Sequence, residues 1–181
     1  YIRYPSKWER TQEVFRILDE QTTDNVEVTI ACAVNALNIY YIPDFLKWKL
    51  QQNFKKVNMW PLGAGGINYH FVYWPPHLNV KVLPREFLDK CEAKYEEFID
   101  WWTENWELGI PTWHKGKVTK EKWLEAEYGI KRLRGMINFA RSEDWTRRLP
   151  EFREYITKLD AHRGTDFRAT FPEMAYLLDE E

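Results

Sequence analysis

The sequence predicts an α/β fold in which a region of strands and helices is followed by a mainly helical region. Residues 26–34 alternate bulky apolar side chains with small or polar ones, the period-two pattern of a strand. Residues 67–74 repeat that alternation after a glycine-rich break. From Pro84 onward, apolar residues recur instead at helical spacing. Strands that alternate with helical segments are typical of an α/β fold.

The first region opens with an amphipathic helix and continues into the first strand. Helical spacing predicts one apolar face, made of Trp8, Thr11, Val14, Phe15 and Leu18. In the strand Val26–Val34, we expect the bulky residues to pack under helices. The other face carries the slimmer side chains Thr29, Ala31 and Ala33. Since both faces of a central parallel strand are usually buried, this slim face predicts either room for a ligand or close packing.

The first region ends with a helix, a strand and a short extended segment. Pro43 suits the first turn of a helix that continues through Leu50. The strand Ile67–Trp74 places His70 on the face opposite to Tyr69. The pair Pro75-Pro76 ends this strand, and residues 79–83 are expected to be extended.

The second region is predicted to hold three longer helices. The first starts at Pro84, and its core stripe consists of Leu88, Cys91, Tyr95, Phe98 and Trp102. Thr119 is a candidate N-cap for the second helix. Pro150 starts the third, and Gly164 suits its C-terminal cap.

Composition narrows the classes of function. The chain has 181 residues and a net charge of −2, so no overall field attracts it to nucleic acid or to acidic lipid. Its apolar runs all fall well short of the roughly 20 residues that span a bilayer. We therefore expect a cytoplasmic protein without nucleic-acid or membrane partners. Cys32 and Cys91 are interpreted as buried thiols, and two cysteines are too few to hold a zinc ion or an iron–sulfur cluster by themselves.

The first strand ends in a turn that is a candidate ligand site. It runs into Asn35-Ala36-Leu37-Asn38, and α/β domains commonly bind ligands at the carboxyl ends of their strands. The chain opens on Tyr1-Ile2-Arg3, without an initiator Met or a signal peptide. We expect it to be the later half of an α/β fold that holds a small molecule, with the first strands absent.

Three phrases, in this order and at these distances, carry a family resemblance. They are Ala33-Val34-Asn35-Ala36-Leu37-Asn38, then Trp74-Pro75-Pro76-His77-Leu78-Asn79-Val80-Lys81-Val82-Leu83-Pro84, then Arg163-Gly164-Thr165-Asp166-Phe167 with Thr170-Phe171-Pro172-Glu173. The chain resembles the C-terminal half of twitch-domain-containing radical SAM proteins. Its Tyr1-Ile2-Arg3 is similar to the Arg-bearing segment after that family's fourth barrel strand.

The resemblance implies part of an incomplete (β/α)6 barrel, contributed by residues 1–83, followed by a helical C-terminal domain over residues 84–181. Val26–Val34 and Ile67–Trp74 would be strands five and six. In the parent protein, S-adenosylmethionine and a four-iron, four-sulfur cluster would be the cofactors.

The same resemblance implies four cofactor-binding residues. Arg3 would meet the carboxylate of S-adenosylmethionine, and Asn35 and Asn38 would lie near its ribose and amino acid parts. His70 would line the barrel. Purely structural alternatives stay open. Arg3 can be a surface residue, and the two Asn side chains can make Asx turns that end the strand.

The chain departs from the family in one large respect. It lacks the triple-cysteine cluster motif and the first four strands, so we expect no catalytic or metal-ligating residue in it and no cofactor bound by it alone. The first functional hypothesis is a fragment, inactive alone, of a radical SAM oxidoreductase or peptide-modifying enzyme acting on a peptide or small metabolite. The second is a non-enzymatic helical interaction protein that forms homo-oligomers.

Overall fold

The computed structural model describes residues 1–2, 4–21, 23, 28–52, 54–57, 67–108, 110, 116–126 and 128–179. It confirms an α/β chain that is mostly helical. The strands are β1 (Ile30–Val34) and β2 (Ile67–Phe71). The helices are α1 (Trp8–Gln21), α2 (Ile42–Gln51), α3 (Arg85–Glu104), α4 (Lys120–Ala126), α5 (Tyr128–Arg141), α6 (Leu149–Arg163) and α7 (Phe167–Thr170).

The two strands lie side by side and run parallel. Ile30 is opposite Ile67, and the register continues to Val34 opposite Phe71. The backbone N–H of Val72 donates to the carbonyl of Val34 at 2.9 Å, which extends the pairing just beyond β2. Among the described residues, no other strand pairs with the second edge of β1.

One face of this sheet packs against helices. It presents Ile30, Cys32 and Val34 from β1, and Ile67, Tyr69 and Phe71 from β2. Helix α5 lies on this face, because its Phe139 ring stacks on Phe71 with the centroids 4.0 Å apart. Arg132, also on α5, lies 5.3 Å from the ring of Tyr69. The bulky side of the alternation therefore packs as predicted.

Helix α3 is the centre of the helical region and confirms the predicted stripe. Its buried residues include all five that helical spacing selected. On the outer surface, Arg134 makes a two-pronged ion pair with Glu96, and Arg141 bonds to Glu92 and Asp89, so α5 is held to α3. The buried apolar residues form one cluster that draws from both sides of residue 84.

Helix α1 packs less deeply than its sequence pattern predicted. All of its residues are described and none is fully buried. Trp8 makes an edge contact with Trp48 at 4.7 Å, and Phe15 contacts Phe45, so α1 rests on α2 through aromatic rings. Val14, which helical spacing placed on the apolar face, stays exposed, and so does Ile17.

Both strands are shorter than predicted, and one segment differs in kind. Residues 24–27 lie outside the described residues, and β2 ends at Phe71 instead of Trp74. Residues 80–82 form a 3-10 turn where residues 79–83 were expected to be extended, and residues 76–78 form another 3-10 turn just before it. The cause is local, since the Asn79 side chain accepts from the N–H of Lys81 at 3.0 Å and so caps the second turn.

Candidate functional site

The second face of the sheet is open and carries small or polar side chains. In the register, Ala31 lies opposite Asn68 and Ala33 lies opposite His70. Ala31, Ala33 and His70 are exposed, and Asn68 is half-buried. Since neighbouring positions of a parallel pair share a face, these four residues form one surface. We call Ala31, Ala33, Asn68 and His70 the open face.

The carboxyl end of the open face is bordered by the predicted asparagine turn. The side-chain amide groups of Asn35 and Asn38 both donate to the carbonyl of Ala33, at 3.1 and 2.9 Å. The oxygen of Asn38 accepts from the N–H of Asn35, and the oxygen of Asn35 accepts from the N–H of Leu37. The Asn35 side chain thus makes the Asx turn that was one of the two alternatives, and the Asn38 side chain bonds back across that turn.

The turn nevertheless leaves hydrogen-bonding capacity at one position. Each amide nitrogen carries two hydrogens and each amide oxygen two lone pairs, so the bonds described use half of them. Asn35 is buried, whereas Asn38 is half-buried and lies nearer to solvent. Asn38 can therefore hold the turn and contact a ligand at once, and Asn35 acts from inside the turn.

The structure brings three of the four predicted cofactor-binding residues to the same end of the sheet. His70 is the register partner of Ala33, whose carbonyl receives both asparagine amides. Arg3 lies outside the described residues. Beyond the end of β2, Trp74 is 82% exposed and lies in the chain next to the Pro75 turn. A large aromatic surface is therefore available near the same end.

Asn79 and Lys81 are important residues that sequence reasoning did not select. Asn79 is fully buried, and its amide donates to the carbonyl of Val72 at 2.8 Å. The Lys81 ammonium pairs with Glu143 at 2.5 Å and lies 4.5 Å from the centroid of Phe139. Asn79 thus holds the segment after β2 to the end of that strand, and Lys81 holds it against α5 and against Glu143 just beyond that helix. The sequence pattern that could have identified Asn79 and Lys81 is a polar residue at every second position of an otherwise apolar run.

The segment after β2 also holds the end of β1. The N–H of Ala36 donates to the carbonyl of Leu78 at 2.9 Å, just after the strand ends. Because Val72 and Ala36 follow β2 and β1, one short segment clamps both carboxyl ends. The second phrase of the family resemblance is thus a scaffold for the site.

Burial decides the protonation state of the two cysteines and of Lys49. It raises the pKa of Cys32 to about 11 and that of Cys91 to about 12, so both thiols stay protonated at neutral pH. Burial lowers the pKa of Lys49, on α2, to about 7. Within the described ranges, no three His, Cys, Asp or Glu side chains are grouped to hold a metal ion.

Comparisons of the chain with protein-family models, curated proteins and solved structures gave no match. In the part of the chain that the structure describes, no helix is both long and apolar enough to cross a bilayer. The open face and its asparagine turn are therefore the features of this chain that point to a function.

Proposed function

We propose that this chain supplies two neighbouring strands and the helical cap of a radical SAM enzyme, whose barrel is completed by other sequence. One observation carries the proposal. A parallel strand pair has helices on one face, while its other face is lined by Ala31 and Ala33 and stays exposed. In a (β/α) barrel, the face without helices is the one that points inward.

The energetics of sheets support the same proposal. Parallel sheets occur almost only where both faces are covered, and a two-stranded sheet is marginal by itself. Here, β1 has a second edge that is unpaired within the described residues. Exposed Val14 and Ile17 on α1 provide apolar surface for further packing. Additional strands would pair with this edge and cover this surface.

The residues fit S-adenosylmethionine as one wall of its site. The alanines leave space over the strands, and His70 and Asn38 offer polar groups at the carboxyl end. In the completed enzyme, S-adenosylmethionine would supply a radical able to abstract hydrogen from a substrate. The part of this chain would be to hold and orient the cofactor and to keep water away from it. A peptide or small metabolite is the proposed substrate class.

The residues do not fit the iron–sulfur cluster. Cys32 lies on the helix-covered face, and Cys91 is fully buried on α3. Because cluster ligands must be thiolates at the site, neither can serve, and the raised pKa values point the same way. The proposal therefore requires the cluster ligands to come from other sequence, and it is refuted if no triple-cysteine segment precedes Tyr1 in the reading frame.

A binding experiment tests the role of the open face. The protein encoded by the whole reading frame is titrated calorimetrically with S-adenosylhomocysteine, which requires no radical chemistry. Ala33→Trp fills the open face and should abolish binding, while Ala161→Trp, at an exposed position of α6, is the matched control. The proposal fails if the parent protein does not bind, or if Ala33→Trp binds as well as the parent.

Self-association is the second candidate function. It is favoured by the exposed apolar side chains of Trp8, Tyr73 and Trp74, together with the unpaired edge of β1 within the described residues. A second copy could cover the same surfaces that a completed barrel would bury. Light scattering of the 181-residue chain discriminates, since a monomer of 22.0 kDa at high concentration contradicts self-association.

A further inference from the structure

We propose that the segment from Asp160 to Glu173 is a clasp that fixes the position of the asparagine turn, so that the helical region sets the geometry of the ligand site. The role of the clasp in ligand binding rests on the proposed function. Its mechanical role does not, because it follows from contacts within this chain. The segment contains the third phrase of the family resemblance, for which the sequence predicted a helix cap at Gly164 but no role in ligand binding.

The first half of the clasp holds the beginning of the chain. The Asp160 carboxylate accepts from the Tyr1 hydroxyl at 2.8 Å, and also from the Thr165 hydroxyl and the N–H of Phe167. Arg163 donates to the carbonyl of Tyr1 at 3.1 Å. Gly164 makes this possible, since its φ of 64° is the left-handed conformation that turns the chain back after α6.

The second half of the clasp holds the segment after β1. The Tyr41 hydroxyl donates to the Glu173 carboxylate at 2.6 Å. The Phe171 ring lies between two tyrosines, with centroids 5.5 Å from Tyr41 and 5.2 Å from Tyr1. Phe171 is buried, so this aromatic contact joins the two halves of the clasp.

Tyr41 is connected directly to the asparagine turn. Its N–H donates to the carbonyl of Asn38 at 3.0 Å, and the N–H of Ile39 donates to the carbonyl of Asn35 at 3.1 Å. A displacement of Tyr41 would therefore move the turn whose amides hold the end of β1. The distance along the chain between Tyr41 and Glu173 means that only the folded protein makes this connection.

The experiment uses a substitution that removes one hydroxyl and keeps the ring. Tyr41→Phe breaks the bond to Glu173, whereas Tyr176→Phe is the control, because the Tyr176 hydroxyl has no hydrogen-bond partner among the described residues. Hydrogen exchange of the 181-residue chain is measured at the amides of residues 35–41 and of α3. Losing one hydrogen bond should speed exchange about fivefold in residues 35–41 only. Glu173→Gln keeps an acceptor oxygen and should give a smaller effect.

A second measurement separates the clasp from the proposed function. Binding of S-adenosylhomocysteine to the protein from the whole reading frame should weaken about fivefold in Tyr41→Phe and stay constant in Tyr176→Phe. Unchanged exchange in Tyr41→Phe would overturn the clasp. Binding that Tyr41→Phe leaves unaltered would overturn its positioning role. If the parent protein fails to bind while exchange responds as expected, the proposed function is lost and the mechanical clasp is supported.

Discussion

Replacing Asn79 by Ala should strongly destabilise the folded protein, although Ala is smaller and has a high helix propensity. The Asn79 side chain is fully buried. Its amide donates to the carbonyl of Val72, and its oxygen accepts from the N–H of Lys81. The substitution removes both hydrogen bonds at once and leaves the Val72 carbonyl and the Lys81 N–H without this side chain as a partner.

The magnitude follows from which partners lose access to water. Lys81 is buried, so its orphaned N–H should cost about 1–3 kcal/mol. Val72 is only half-buried, and water can replace part of its lost bond. The small space left by the amide group adds roughly 1 kcal/mol. We expect a total loss of about 2–4 kcal/mol, against a typical stability of about 5–15 kcal/mol for a domain.

Urea denaturation followed by tryptophan fluorescence measures this loss. Asn138→Ala, on an exposed position of α5, is the matched control and should stay within about 0.5 kcal/mol of the parent chain. The m-value must be equal in the parent chain and in both variants, because only then do differences between urea midpoints report differences in the free energy of unfolding. The reasoning is refuted if Asn79→Ala unfolds within about 0.5 kcal/mol of the parent chain.

Three further predictions concern the open face and the buried titratable groups. Ala33→Leu should change the free energy of unfolding by less than about 0.5 kcal/mol, because Ala33 is exposed. Val34→Ala, at a buried position, should lower the free energy of unfolding by about 2–3 kcal/mol in the same urea assay. Equal effects of the two substitutions would contradict the open face. Cys32 and Cys91 should react with a thiol reagent at pH 8 much more slowly in the folded chain than in urea, since burial raises both pKa values above 10, and equal rates would contradict their burial. Burial lowers the pKa of Lys49 in the folded chain to about 7, so between about pH 7 and 10 the unfolded chain binds more protons than the folded one. The free energy of unfolding should therefore rise with pH over that range. The urea midpoints of Lys49→Met should lack this rise.

Elements with a strong local signal were predictable from the sequence. The five apolar residues at helical spacing in α3 are all buried, because one stripe of a helix must face the core. Thr119 accepts from the N–H of Lys122 at 3.4 Å near the start of α4, and Gly164 caps α6 as predicted. Alternation in β1 also predicted that Val34 packs under the helices and that Ala33 lies on the other face.

The candidate site was predictable in part. The sequence selected Asn35 and Asn38 but left open whether they bind a ligand or end the strand, and the structure shows the Asx-type turn. It gave no role to Asn79, since the segment was expected to be extended, and an extended segment would not bring the N–H of Lys81 onto the Asn79 side chain. Its partners, Val72 and Lys81, became visible only when the segment folded into two turns.

By itself, the sequence determined where helices and strands form and which side of each is apolar, because these properties depend on residues within a few positions of one another. Only the tertiary structure decided that the slim side of β1 stays open, and that Glu173 reaches Tyr41 across the molecule. Such contacts join residues far apart in the chain, and they form only when packing of the whole core brings the elements together. Periodicity therefore predicted the elements, and the packing of those elements created the candidate site.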